Sequence, residues 1–249
     1  MTLRCRTKGF RSKLPIGRRR PLVSRGGDAV RESPRIRGDY AIARRRLVER
    51  LEGAGMREPA LLAAFGSVAR HRFVPEGQRD QAYRDLPLLI GAGQTISAPG
   101  VVALMTHALA LDGSENVLEV GTGSGYQAAI LSRLASRVIS VERIPRLAAT
   151  ARTQLDALGV TNVIVYLGDG TQGRPDQAPY DAIVVTAGGP EIPAPLLDQL
   201  APGGRLVGPF GPRGGQRLVR VTRTGDELRH EVLGQCRFVD LIGTHGWAA

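Results

Sequence analysis

Val117-Leu118-Glu119-Val120-Gly121-Thr122-Gly123-Ser124-Gly125-Tyr126 is the stretch that decides the fold. Val117 to Val120 reads as a short buried strand, and Tyr126 to Leu134 as a helix. Five residues, three of them glycine, join the two. A glycine-rich turn between a strand and a helix lets a ligand approach the main chain closely. It also turns the first amides of the helix toward an anionic or polar ligand.

Two ligand classes use such a loop. The dinucleotide fingerprint is G-x-G-x-x-G. This chain instead reads Glu119-x-Gly121-x-Gly123-x-Gly125, with Tyr126 where that fingerprint wants glycine. The spacing resembles the S-adenosylmethionine loop of methyltransferases. Glu142 ends the next predicted strand, Val138 to Val141. An acid there has two oxygens for the two ribose hydroxyls of an adenosine. Asp169 follows the third strand, Val163 to Leu167, and is placed to accept from an adenine amino group. A single acid in a loop is usually a solvated or capping residue. Two acids at the ends of consecutive strands behind this loop point to a ligand.

Around that centre the chain alternates. Helices are predicted over Val101 to Leu111, Arg146 to Leu158 and Pro193 to Leu200. Further strands are predicted over Asp181 to Val185 and Arg205 to Val207. Gln216 to Thr222 and Leu228 to Leu233 read as an antiparallel pair turning at Thr224-Gly225-Asp226. Strands alternating with helices predict a mainly parallel sheet covered on both faces. Upstream, a helix starts near Tyr40 and is stopped by Gly53 and Gly55. A second runs from Pro59 to about Val68. Arg72 to Pro99 is loop-rich and too long for a plain connection.

Charge divides the chain. Residues 1–39 hold 12 Lys plus Arg and 3 acids, a net +9, whereas residues 40–249 hold 22 and 20, a net +2. The basicity therefore belongs to an N-terminal extension that the composition predicts to be disordered. Arg18-Arg19-Arg20 is followed by no apolar stretch, so no export signal is expected. No apolar run of transmembrane length occurs. Two cysteines and four histidines show no metal-ligand spacing, so no metal is expected. A reducing cytoplasm fits this cysteine usage.

The specific family resemblance lies outside the glycine loop. Arg70-His71-Arg72-Phe73-Val74-Pro75, Ala82-Tyr83-Arg84-Asp85-Leu86-Pro87-Leu88 and Gly91-Ala92-Gly93-Gln94-Thr95-Ile96-Ser97-Ala98-Pro99 resemble protein-L-isoaspartate O-methyltransferase. Val102 to Thr106, Gly168-Asp169-Gly170, Leu200-Ala201-Pro202-Gly203-Gly204 and Arg237-Phe238-Val239 continue the likeness, over roughly residues 40–249. It implies a Rossmann-like, doubly wound, mainly parallel seven-stranded sheet with antiparallel C-terminal strands. Residues 40–100 would form a helical and loop cap carrying the active-site segment, and 101–249 the cofactor-binding core.

It further implies repair of damaged proteins and peptides: a methyl group moves from S-adenosylmethionine to the free carboxylate of L-isoaspartyl residues. By resemblance Ser97 is the active-site serine. The cofactor set is Gln94, Thr95, Ile96, Glu119, Gly121, Thr122, Gly123, Ser124, Gly125, Glu142, Arg143, Asp169 and Gly170. Asp85 and Arg237 are weaker substrate candidates. A carboxylate substrate is already ionised at neutral pH, so the lack of a His–acid pair is expected. On position alone, Ser97 reads first as the N-cap of the helix that follows, with Pro99 in its first turn; the whole Gly-Gln-Thr-Ile-Ser context favours the functional role, and the two can coexist. The chain departs from the family where Asp240, rather than the usual proline, follows Val239.

The rival readings are a methyltransferase for RNA or a small molecule, and a non-catalytic S-adenosylmethionine- or RNA-binding module. The near-neutral body and the absence of an N/D-P-P-Y/F motif disfavour an amino-group methylase; the strand is followed instead by Thr186-Ala187-Gly188-Gly189. A non-catalytic module has no need of the Ser97 segment. A monomer without a stable nucleic-acid or membrane partner is expected.

Overall fold

A computed structural model describes residues 36–248. The predicted disorder of the basic extension falls on residues that lie largely outside this range. In chain order the elements are α1 (Ile36–Gly53), α2 (Pro59–Ser67), β1 (Leu88–Gly91), β2 (Gln94–Ile96), α3 (Pro99–Leu109), β3 (Asn116–Val120) and α4 (Tyr126–Leu131). Then come β4 (Arg137–Glu142), α5 (Pro145–Asp156), β5 (Val163–Leu167), β6 (Tyr180–Val185), α6 (Ala194–Asp198), β7 (Leu200–Phe210), β8 (Gln216–Thr224) and β9 (Glu227–Cys236).

Seven strands form one sheet in the order β5-β4-β3-β6-β7-β8-β9. Neighbours from β5 to β7 are parallel, and β8 and β9 are antiparallel. This is the predicted architecture. The chain winds outward from β3 through β4 to β5, then returns to the other side of β3 with β6. The reversal puts the switch point between β3 and β6, where open α/β sheets bind ligands beyond the strand C-termini.

Strand alternation sorts the core. Leu118, Val120, Ile139, Val141, Ile183 and Val185 pack on one face of the sheet. Val117, Val138, Ala182, Val184 and Val207 pack on the other, with Met105 and Leu109 of α3. Both faces are covered, which is why the parallel strands read as continuous apolar runs. Leu47, Phe65, Leu88, Val102, Tyr126 and Ala148 belong to one further cluster. The N-terminal cap therefore shares its core with α3, α4 and α5.

Several boundaries differ from expectation. α1 begins at Ile36, ahead of Tyr40. α3 starts at Pro99 because proline suits a first helical turn, and it ends at Leu109, followed by the left-handed C-cap Ala110 with φ 50°. α4 stops at Leu131, short of Leu134. β7 is much longer than Arg205 to Val207 because its register shift lets the strand absorb the Pro202-Gly203-Gly204 irregularity. The loop-rich stretch holds two 3-10 turns, Arg70–Phe73 and Glu76–Gln81, and the β1–β2 hairpin. Gly91, Ala92 and Gly93 all have positive φ in its turn. Alternation over three or four residues is too short to announce such a strand pair.

Candidate active site

The site forms where β3, β4 and β6 end. Gly121 has φ 94°, and a Cβ there would stand 2.5 Å from Thr186 Oγ1. That hydroxyl donates to the Gly121 carbonyl at 2.6 Å. The close crossing of β6 over the loop thus requires glycine twice over, by dihedral and by space. Gly170 is similarly confined: its missing Cβ would lie 2.6 Å from Val120.

Glu142 is buried at the end of β4. Its Oε2 accepts from the Gly123 amide at 2.8 Å, and its Oε1 from the Ile144 amide at 2.9 Å. The carboxylate holds the loop in place while each oxygen keeps a lone pair for a ligand. The Gly123 amide is therefore committed within the protein. Since α4 is under two turns long, backbone cradling carries more of this site than any helix dipole.

A cavity lies over these groups. Gln94 and Thr95 line it from β2, with Val120, Gly121 and Gly123 from the end of β3 and the glycine loop. Glu142, Arg143, Ile144, Gly170 and Thr186 continue the wall, and Val239 to Ile242 close it. A second cavity is lined by Pro87, Thr95, Ser97, Ala98, Val101, Cys236, Arg237 and Phe238. Thr95 belongs to both. The structure therefore brings Ser97 and Arg237 together, beside the first cavity and separated from it by one residue.

Other predicted cofactor residues stand behind the wall. Ile96 is core. Gly125 is the left-handed N-cap of α4. Ser124 is buried in the loop. Thr122 turns inward onto Ser140, and Ser140 onto Glu119. Glu119 is wholly buried and lines neither cavity, so contact with a ligand is replaced by support from beneath. Burial pushes its carboxyl up to about 8, and neighbouring Glu142 adds to the rise.

Asp169 is held by the protein as well. Its carboxylate accepts from the Thr171 amide and hydroxyl at 2.9 and 2.7 Å and from the Thr244 amide at 2.7 Å. Burial acts to raise its pKa, but these donors prevail and hold it below the usual carboxylate range. Asp169 ties the C-terminal segment to β5, and its neighbour Gly170 faces the cavity.

Asp85 supplies the cap that position assigned to Ser97. The α3 N-cap is Ala98, with no capping bond from its side chain. Asp85 Oδ1 accepts from the Gly100 amide at 2.8 Å. Asp85 lines neither cavity.

The sequence reading missed Thr186, Arg70 and the wall from Val239 to Ile242. Thr186 was findable, since it directly follows the fourth parallel strand. The antiparallel pair β8–β9 was legible, but no local pattern reports that the chain after it returns to wall the site. Asp240 pairs with Arg213 at 2.8 Å, and Arg213 lies 4.4 Å over the Trp247 ring. No histidine lines either cavity.

Residues 43–246 match the family profile of protein-L-isoaspartate(D-aspartate) O-methyltransferase. A protein-L-isoaspartate O-methyltransferase from Syntrophus aciditrophicus is 54% identical over 209 residues, 82% of this chain and 96% of that protein. One from Pelobacter propionicus is 56% identical over 201 residues, 80% of this chain and 89% of the relative. A solved protein-L-isoaspartate O-methyltransferase superposes with a TM-score of 0.76 at 31% identity, over 82% of this chain and 67% of that one. A Plasmodium falciparum structure in complex with S-adenosyl-L-homocysteine has a TM-score of 0.70 at 24% identity, over 80% of this chain and 98% of the other.

Proposed function

The chain belongs to the protein-L-isoaspartate(D-aspartate) O-methyltransferase family, and from that premise we propose how its residues divide the work. The protein is an S-adenosylmethionine-dependent methyltransferase acting on isoaspartyl residues. The residues present fit that cofactor. Gly121, Gly123 and Gly170 line the cavity with main chain, Thr186 and Val120 leaving no room for a Cβ at Gly121 or Gly170, and Glu142 presents an oriented carboxylate suited to vicinal hydroxyls. When bound, S-adenosylmethionine supplies an activated methyl group on a sulfonium.

In our reading Ser97 and Arg237 receive the substrate. Arg237 offers a guanidinium to the isoaspartyl carboxylate, and the Ser97 hydroxyl donates to it. Pro87, Val101 and Phe238 exclude water around them. The nucleophile needs no base, because a carboxyl with a reference pKa near 4 is ionised at neutral pH. What remains is alignment of oxygen, methyl carbon and sulfur. Thr95 stands where the two cavities meet and sets that line.

The observation that supports this assignment most is that single shared residue between two cavities. Purified protein should move labelled methyl from S-adenosylmethionine to an isoaspartyl peptide, giving base-labile esters. Equal labelling of the matching aspartyl peptide would defeat the reading. The alternative substrates, RNA or a small molecule, draw no support from the near-neutral body of 22 basic and 20 acidic residues.

We take residues 1–39 to be an extension that activity does not need, 40–100 to be the substrate-side cap and 101–249 the cofactor-binding core. We further propose a monomer that works in the cytoplasm without a nucleic-acid partner. Among the described residues no helix is long and apolar enough to cross a membrane.

A further inference from the structure

Arg70 is fully buried, among the largest side chains so enclosed. Its Nε donates to the Ala82 carbonyl at 2.7 Å, and its Nη2 to the Ser97 carbonyl at 2.7 Å. Its guanidinium carbon lies 4.7 Å over the ring of Tyr126, the residue that follows the glycine loop. Nη1 has no hydrogen-bond partner of good geometry. One side chain thus holds the turn before β1, the main chain at the proposed active-site serine, and the start of α4.

No carboxylate stands within ion-pair distance of Arg70 among the described residues, although Asp85 is near enough to favour the charge. Burial lowers the guanidinium to about 10, so it stays protonated at neutral pH. Such a charge is costly to keep from water. Its removal would also take the donor from the Ala82 and Ser97 carbonyls, so the arginine both supports the fold and fixes the position of the Ser97 main chain. Charged donors give shorter and more directional bonds than neutral ones. From the other end, Asp85 holds the Gly100 amide. The four residues from Ser97 to Gly100 are gripped at both ends, and the Ser97 side chain is left to line the cavity.

We propose that Arg70 is a positioning residue for methyl transfer, fixing the Ser97 main chain and with it the place of the Ser97 hydroxyl relative to the glycine loop. The proposal rests on the reading of Ser97 as the residue that receives the substrate carboxylate.

A double-mutant cycle tests it, with Arg70→Met, Ser97→Ala and both together. Turnover is measured on an isoaspartyl peptide at saturating S-adenosylmethionine, well below each melting temperature. S-adenosylhomocysteine affinity is measured in parallel. Arg70→Met should lower kcat at least about tenfold while that affinity stays within about threefold. In the Ser97→Ala background the further loss should shrink to less than about threefold, because the two residues act as one unit. Arg70→Lys, which keeps the charge and one donor direction, should recover part of the lost turnover. It takes the place of Arg70→Met in the cycle if that variant does not fold. Unchanged kcat, multiplicative losses in the double variant, or cofactor affinity falling in step with kcat would each overturn the proposal. If Ser97→Ala alone leaves turnover intact, the assignment of Ser97 itself is wrong.

Discussion

The amide of Gly123 donates to Glu142 Oε2 at 2.8 Å, so the end of β4 fixes the shape of the loop that follows β3. The Ile144 amide holds the other oxygen. Replacing Glu142 by Gln keeps the volume but turns an NH2 group toward one of these two donors. It also removes the charge from the oxygens proposed to bind the ribose hydroxyls. Hydrogen bonds to a charged group are each worth about 1.5–3 kcal/mol. Glu142→Gln is therefore expected to weaken cofactor binding by about 10- to 100-fold, read by calorimetry with S-adenosylhomocysteine. An affinity within twofold of wild type would remove Glu142 from the site.

Asp85 and Ser97 separate capping from chemistry. Asp85→Ala removes the acceptor of the Gly100 amide and should lower unfolding free energy by about 1 kcal/mol, as lost caps do. Ser97→Ala removes no cap and should leave the thermal midpoint within about 2 °C. Turnover should respond in the opposite sense, with Ser97→Ala the more damaged. If Ser97→Ala melted as early as Asp85→Ala, the serine would be structural after all.

Legibility in the sequence followed the range of the interactions. Val117 to Gly125 declared strand, loop and helix, because period, apolar run and glycine spacing are local signals. Glu142 was legible for the same reason, as an acid at a predicted strand end. Asp169 was located, but its tie to the Thr244 amide was not legible, since that donor lies 75 residues away and nothing local announces it. Arg70 was legible only as part of the Arg70–Pro75 resemblance; nothing local announces that it is wholly enclosed. Glu119 looked like a ligand contact because its motif is shared by proteins that bind this cofactor. Its position one residue on from Leu118 in a strand buried on both faces turns it inward.

Gly121→Ala probes the crossing of β6 over the loop. The added methyl would stand 2.5 Å from Thr186 Oγ1 at φ 94°, so loop and strand must part. Steric and dihedral strain of this kind costs on the order of 2 kcal/mol or more. The variant is expected to lose cofactor binding and to unfold earlier. Adding Thr186→Ala relieves the clash but not the dihedral, and should recover only part of the stability. Full recovery in the double variant would show that space alone demands the glycine.

Asp240 stands where the family resemblance leads one to expect proline. Its amide makes none of the bonds between this segment and the turn after β6; the Gly188 amide donates to the Val239 carbonyl, and the Leu241 amide to the Gly188 carbonyl. Asp240→Pro removes only the half-exposed pair with Arg213, and such pairs are worth about 0–1 kcal/mol. Activity on an isoaspartyl peptide should stay within about threefold of wild type, since that loss converts to no more than a small change in binding. A collapse of activity would mean that Asp240 and Arg213 carry the cofactor wall.

Glu119 makes stability depend on pH in a direction opposite to most carboxylates. Its folded-state value is raised from 4.5 to about 8, first by burial and then by Glu142. Below the unfolded value both states hold the proton. Between that value and about 8 the folded state holds a proton that the unfolded state has released. Unfolding free energy therefore falls as pH rises through this window, by an amount on the order of a few kcal/mol. Glu119→Gln preserves a partner for Ser140 and cannot ionise. Its stability should be comparable to wild type near pH 5 and should exceed it near pH 8. Urea unfolding of both proteins across that interval gives the comparison. Parallel curves would mean that the carboxyl ionises in the folded protein much as it does in water, and that the chain from Glu119 through Ser140 to Thr122 is hydrated.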